Sequence, residues 1–144
     1  MRYTEYFSRM GRGKKWYAQA LVPISKKWNL TQNELDVLLF LHNNPDMDRA
    51  ADIVSWRGIS KSHVSLSVNS LETRGLIVRA ASTDRRAVHL ALTESGRAIA
   101  QEGQAAQRSF FQQLYQGITP EEFALWQSIL DKIDGNLRHM EKQG

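Results

Sequence analysis

The sequence predicts a mainly α-helical chain carrying one small β-hairpin. Three observations in the stretch from Gly58 to Gly96 predict it. Val64, Val68 and Leu71 recur at i, i+4 and i+7, one face of a helix, and Gly75 follows where a left-handed C-terminal cap would sit. Residues 76–79 and 88–92 read as two strands, the second alternating Val88, Leu90 and Leu92 onto one face. Between them, residues 80–87 form a polar tip that contains Asp84, Arg85 and Arg86. Helix, glycine, strand, basic tip, strand and helix in this order make a winged helix-turn-helix.

The helix has an unusual polar side. Ser60 and Ser62 are both suited to cap its start, because a serine hydroxyl accepts from the orphan N–H groups of a first turn. Opposite the apolar stripe lie Ser62, Leu66, Asn69, Ser70 and Thr73, with His63 and Ser67 on the flanks. Short hydrogen-bonding side chains let a helix approach a groove closely, and they bond to base edges or to phosphates. Leu66 points away from the predicted core. It is either a contact for thymine methyl groups or an ordinary isolated surface leucine. In the tip, Asp84 is near enough to Arg86 to hold its guanidinium outward, which suits a narrow minor groove. The plainer reading is a solvated ion pair worth little.

The segments Leu71-Glu72-x-x-Gly75-Leu76-Ile77-x-Arg79, Asp84-Arg85-Arg86 and Leu90-x-Leu92-Thr93-x-x-Gly96 resemble the signature of the MarR family of transcriptional regulators. The remaining helical layout fits that family over nearly the whole chain. The resemblance implies a homodimer that sets two recognition helices about one DNA turn apart, in successive major grooves of a pseudo-palindromic operator on double-stranded DNA. Repression is the commoner behaviour in such proteins. By the same resemblance Ser62, His63, Leu66, Asn69 and Ser70 face the bases. Arg86, held by Asp84, enters the minor groove, and Lys61, Arg74 and Arg85 are candidates for phosphate contact. Many relatives carry a polar or basic residue at the position of Leu66, so its presence implies a hydrophobic, thymine-leaning readout. Family members often release DNA when a small aromatic or phenolic molecule wedges between the dimer helices and the winged helix. Trp16, Tyr17, Trp28 and Arg97 are the candidate wall residues of such a pocket. No cofactor is implied.

The elements justify this layout in order. Residues 1–29 read as helix, with Tyr3, Tyr6, Phe7 and Met10 as a first apolar stripe and Trp16, Ala20, Leu21, Ile24 and Trp28 renewing it. Gly11 and Gly13 weaken the run by about 1 kcal/mol each, and Pro23 is expected to kink it or mark a local start. Arg9, Arg12, Lys14 and Lys15 are read as a solvated face rather than a DNA contact. Thr31-Gln32-Asn33-Glu34 is a capping box, opening a helix with Leu35, Leu38, Leu39 and Leu41 or His42 inward. Residues 47–57 form a short helix with Ala50, Ile53 and Val54 as its apolar face and Trp56 in or near the core. Thr93 caps a long helix reaching about Gln116, in which Gly96 leaves room for another backbone. Thr119, Pro120 and Glu122 repeat the capping logic before Phe123, Trp126, Ile129, Leu130, Ile133 and Leu137 follow at helical spacing. A terminal helix this apolar asks for a partner. Residues 1–30 and 94–144 are therefore assigned to dimerisation, and residues 31–93 to the winged helix-turn-helix.

Composition narrows the classes. The 144 residues carry a net charge of +4, which permits nucleic-acid binding without requiring it. The absence of cysteine excludes disulfides, thiolate zinc sites and a cysteine redox switch. His42, His63, His89 and His139 have no spacing that would make a metal site. No apolar run is long enough to span a bilayer, and the N-terminal residues lack the apolar stretch of a signal peptide, so a cytoplasmic location without membrane contact is expected. There is no nucleophile beside a base and no catalytic carboxylate pair. Gly11-Arg12-Gly13 has neither the preceding strand nor the following Gly-Lys-Ser/Thr of a phosphate loop. The chain is thus expected not to be an enzyme. The alternative function is a winged-helix protein-interaction module without specific DNA binding, and steep salt dependence on duplex DNA separates the two.

Overall fold

The computed structural model describes residues 2–81 and 87–144. Its elements are α1 (Tyr3–Lys27), α2 (Gln32–Asn43), α3 (Ala50–Arg57), α4 (Lys61–Thr73), β1 (Ile77–Ala81), β2 (Val88–Leu92), α5 (Glu94–Leu114) and α6 (Pro120–Gln143). The chain divides into two compact units, one reaching to Phe110 and one from Phe111 to Gly144.

Helix α2 is the centre of the first unit. Its residues from Glu34 to Leu41 are all buried, so it behaves as a core helix rather than an amphipathic one. The expected capping box forms: Glu34 N donates to Thr31 Oγ1 at 3.1 Å, and Thr31 N donates to Glu34 Oε1 at 2.9 Å. Leu35, Leu38 and Leu39 pack with Leu21, Ile53, Val64, Val68, Leu71, Ile77, Leu90 and Ile99 in one core. Burying a side chain of this kind stabilises by roughly 1.5–3 kcal/mol, which makes α2 the element around which the others collapse.

Helix α1 runs through Pro23 without a break, so the local start that the sequence allowed there does not occur. Proline removes one N–H, and the helix absorbs the loss within its last turns. It ends at Asn29, whose φ of 52° is left-handed, with Leu30 N donating back to Ser25 O at 2.8 Å. Helix α3 starts at Ala50, three residues later than the sequence suggested, and buries Ile53. Trp56 corrects a second expectation. It is 60% exposed rather than in or near the core, because α3 turns its Ile53 side to α2 and α4.

The wing root is built tightly. Helix α4 closes in a Schellman arrangement: Gly75 has φ 70°, Leu76 N donates to Leu71 O at 2.9 Å and Gly75 N to Glu72 O at 3.0 Å. β1 and β2 pair antiparallel, with Ile77 opposite Leu92 and Ala81 opposite Val88. β1 therefore reaches two residues further than the sequence suggested. Of the alternating set on β2, Leu90 is buried while Val88 is exposed. Leu90 N also donates to Asp48 O at 2.7 Å, and His89 Nδ1 lies 2.7 Å from Asp48 Oδ1, which pins β2 to the segment before α3.

Thr93 caps α5 as expected, accepting from Gly96 N at 3.1 Å while its own hydroxyl donates to Gly75 O at 2.7 Å. A Cβ built at Gly96 would lie 2.0 Å from the carbonyl oxygen of Leu76. The close approach read from the sequence is thus a backbone-to-backbone contact. In the second unit, Thr119 forms the predicted capping box with Glu122. Tyr115, Phe123 and Trp126 pack edge-on and tilted at centroid distances of 5.1–5.6 Å. No residue of α6 is buried; Trp126, Ile129, Leu130, Ile133 and Leu137 are all exposed.

Candidate nucleic-acid interface

The outward face of α4 is the candidate reading surface. Ser60 caps it, accepting from His63 N at 3.2 Å, and Ser62 Oγ lies 3.3 Å from Ser60 Oγ. Burial of Val64, Ser67, Val68 and Leu71 fixes the rotation of the helix. That rotation leaves Lys61, Ser62, His63, Leu66, Asn69 and Ser70 exposed, with Leu66 at 67%. The core periodicity alone therefore presents the predicted base-facing set together on one side.

The members of that set are not equivalent. Ser70 Oγ donates to Glu34 Oε2 at 2.7 Å, so its hydroxyl hydrogen is used to tie α4 to the start of α2. Burial pushes the Glu34 carboxyl up, but the bonds from Thr31 and Ser70 and the charge of Arg74 outweigh it, and the group sits below its ordinary value. Asn69 Oδ1 accepts from Arg79 Nη2 at 2.5 Å, and Arg79 Nε lies 3.2 Å from Glu72 Oε2. Thr73 is turned onto its own helix, donating to Asn69 O at 2.9 Å.

Arg74 bonds to the protein backbone. Its Nη1 donates to Asn29 O at 2.9 Å and its Nη2 to Trp28 O at 2.6 Å. These carbonyls end α1, where a cation is favoured by the helix dipole. Arg74, expected as a phosphate contact, thus also ties the end of α4 to the end of α1. Asp84, Arg85 and Arg86 of the wing tip lie outside the described residues.

The four candidate pocket residues stand at different places. Trp16 is exposed. Tyr17 is half-buried; its hydroxyl accepts from Gln107 Nε2 at 2.6 Å and its ring meets Phe110 edge-on at 5.5 Å. Trp28 Nε1 donates to Glu102 Oε2 at 3.1 Å, beside the Lys27–Glu102 ion pair at 2.9 Å. Arg97 lines an open cleft of about 270 Å³ with Leu41, His42, Pro45, Asp48 and residues 90–92, which includes none of the other three.

One charged pair escaped the sequence reading. Asp36 is buried at 5% exposure, with Arg57 Nη2 3.1 Å from its Oδ1. That oxygen has no aligned hydrogen-bond donor. Burial raises the Asp36 carboxyl above its ordinary value, and the Arg57 charge offsets this only in part. Tyr17 is also raised, by burial first, and feels both charges. An acid inside the apolar run Leu35–Leu41 was the only signal available for this pair. Among the described residues no group of three or more His, Asp or Glu side chains is placed to hold a metal ion, and no helix is long and apolar enough to cross a membrane.

This arrangement has known counterparts. The MarR family model matches residues 28–87, which take in α2, α3, α4 and β1 and stop short of β2. The transcriptional regulator PA3341 is 27% identical, with 96% of this chain and 99% of that one aligned at a TM-score of 0.81. A MarR family regulator from Listeria monocytogenes, complexed with 26mer DNA, is 18% identical over 91% of this chain and 87% of its own, at a TM-score of 0.79. CouR from Rhodococcus jostii RHA1, bound to p-coumaroyl-CoA, is 23% identical over 92% and 91%, at a TM-score of 0.69. The last two are likenesses of fold. With the signature segments, the family model matched over residues 28–87 and the whole-length similarity to PA3341, this chain is similar to the MarR family of winged-helix transcriptional regulators.

Proposed function

We propose that the protein is a sequence-specific DNA-binding regulator that acts in the cytoplasm as a homodimer, represses from a pseudo-palindromic operator, is released by a small aromatic or phenolic ligand, and catalyses no reaction. The observation that carries this reading is the face of α4. Its core side is fixed by Val64, Val68 and Leu71, and its free side gathers Lys61, Ser62, His63, Leu66 and Asn69 at the surface. In the major groove these groups meet base edges and phosphates, with Leu66 against thymine methyl groups. Arg86, oriented by Asp84, serves the flanking minor groove, and Lys61 and Arg85 bind phosphate. The likeness to a regulator crystallised with 26mer DNA supports the DNA arm of the reading. The likeness to CouR with its p-coumaroyl-CoA supports the effector arm. The exposed apolar side of α6 supports the dimer.

The test is selection of duplexes from a random pool by the purified protein, with Arg86→Ala in parallel. The expected result is an enriched inverted repeat whose affinity falls with the substitution and declines steeply with salt. A folded protein that enriches no sequence, and whose weak binding is insensitive to salt, overturns the reading in favour of a protein-contact module.

A further inference from the structure

Asn69 lies on the exposed side of α4 and its carboxamide is already held. Its Oδ1 accepts from Arg79 Nη2 at 2.5 Å, and Arg79 is itself fixed from below by Glu72, whose Oε2 lies 3.2 Å from Nε. Arginine carries only donors. The atom that Asn69 turns to it must therefore be the carbonyl oxygen, whichever way an amide is drawn. The NH2 group is left facing away from the guanidinium, and among the described residues it donates to nothing. Asparagine in a major groove ordinarily pairs with adenine in two directions at once, Oδ1 accepting from N6 and Nδ2 donating to N7. Here a clamped cation stands at Oδ1, where the adenine amine would have to come in as a second donor.

The geometry points to Asn69 as a donor-only reader of the operator, with Arg79 as the positioning residue that sets the direction of its amide. The base edge it selects is one rich in acceptors: N7 and O6 of guanine, or O4 of thymine. This rests on α4 being the DNA-reading helix. The wing strand then contributes to specificity from its root, without itself touching a base, by denying the amide its second orientation.

The experiment is site selection from random duplexes by the full-length protein in four forms: wild type, Asn69→Ala, Arg79→Met and Arg79→Lys. Each is first checked for native helicity by circular dichroism. Loss of preference in Asn69→Ala identifies the operator position that Asn69 reads. Wild type is expected to enrich guanine or thymine there, by on the order of tenfold over adenine. Arg79→Met is expected to keep the rest of the operator and relax that one position so that adenine is admitted, and Arg79→Lys to restore the preference in part. Enrichment of adenine by the wild type overturns the proposal. So does a base preference unchanged in Arg79→Met, or a loss in Asn69→Ala that is equal on all sequences, the mark of a phosphate contact. Should Arg79→Met not fold, the lysine variant and a glutamine variant carry the same comparison. If the wild type enriches no sequence at all, the DNA-reading role of α4 fails and this proposal with it. An enriched operator that ignores Arg79 removes the clamp alone.

Discussion

At the scale of single residues, the polar groups on and just after α4 separate into different roles. Ser70 and Arg74, both expected on the DNA side, are each also engaged with the protein, Ser70 at Glu34 and Arg74 at the end of α1. Ser70→Ala should therefore lower stability by about 1 kcal/mol and leave base preference unchanged. Leu66→Ala should do the reverse: no loss of stability, and a loss of ~1 kcal/mol in affinity only where thymine stands at the contacted step. Urea midpoints and titrations on paired duplexes check both, and exchanged outcomes would return Ser70 to the reading face. Asp36 adds a pH effect. Its folded carboxyl is raised above the ordinary value, so between the two values the native state binds more protons than the unfolded chain. Stability from this group then falls as pH rises from about 4. Asp36→Asn should remove that decline, so its stability relative to wild type grows with pH across the carboxylate range. A constant difference at every pH would mean that Arg57 fully compensates the buried charge. Glu34, held low, has the opposite sign, and its contribution is lost as pH falls.

At the scale of elements, local signals written within a few residues were legible and signals set by burial were not. Thr31, Thr93 and Thr119 cap the helices they were expected to cap, because a cap depends on three neighbouring residues. Gly75 takes the left-handed cap, since no side chain opposes it. The extent of α2 burial, the exposure of Trp56 and the partners of Ser70 and Arg74 depend on what packs alongside, which periodicity does not encode. The two α5 glycines illustrate the difference. At Gly96 an added Cβ meets the Leu76 carbonyl at 2.0 Å, whereas at Gly103 it meets Leu39 Cδ2, a movable methyl, at 2.9 Å. Gly96→Ala should cost about 3 kcal/mol or more. Gly103→Ala should come out near zero, its helix-propensity gain of about 1 kcal/mol offsetting the squeeze. Denaturant midpoints at unchanged slope decide it; equal costs at both positions would show that β1 yields.

At the scale of the whole molecule, a helix of 24 residues with none buried is the principal observation. Leaving about half of each of Trp126, Ile129, Leu130, Ile133 and Leu137 in water sacrifices on the order of 1 kcal/mol each. A second copy covering them accounts for the sequence better than a solvated helix does. Ile133→Asp should therefore weaken self-association by at least tenfold in sedimentation equilibrium and lower DNA affinity with it. An unaltered dimer would place the interface elsewhere. The Gly96 contact has a wider consequence. Thr93 and Gly96 join the first turn of α5 to the Gly75–Leu76 peptides: the Thr93 N–H and hydroxyl bond Leu76 O and Gly75 O, and the Gly96 backbone lies directly against the Leu76 carbonyl. Two backbones welded in this way have no hinge. Any tilt of the first turn of α5 must carry the root of the wing with it, so the joint behaves as a lever arm, passing a small rotation of one helix to the paired strands β1 and β2.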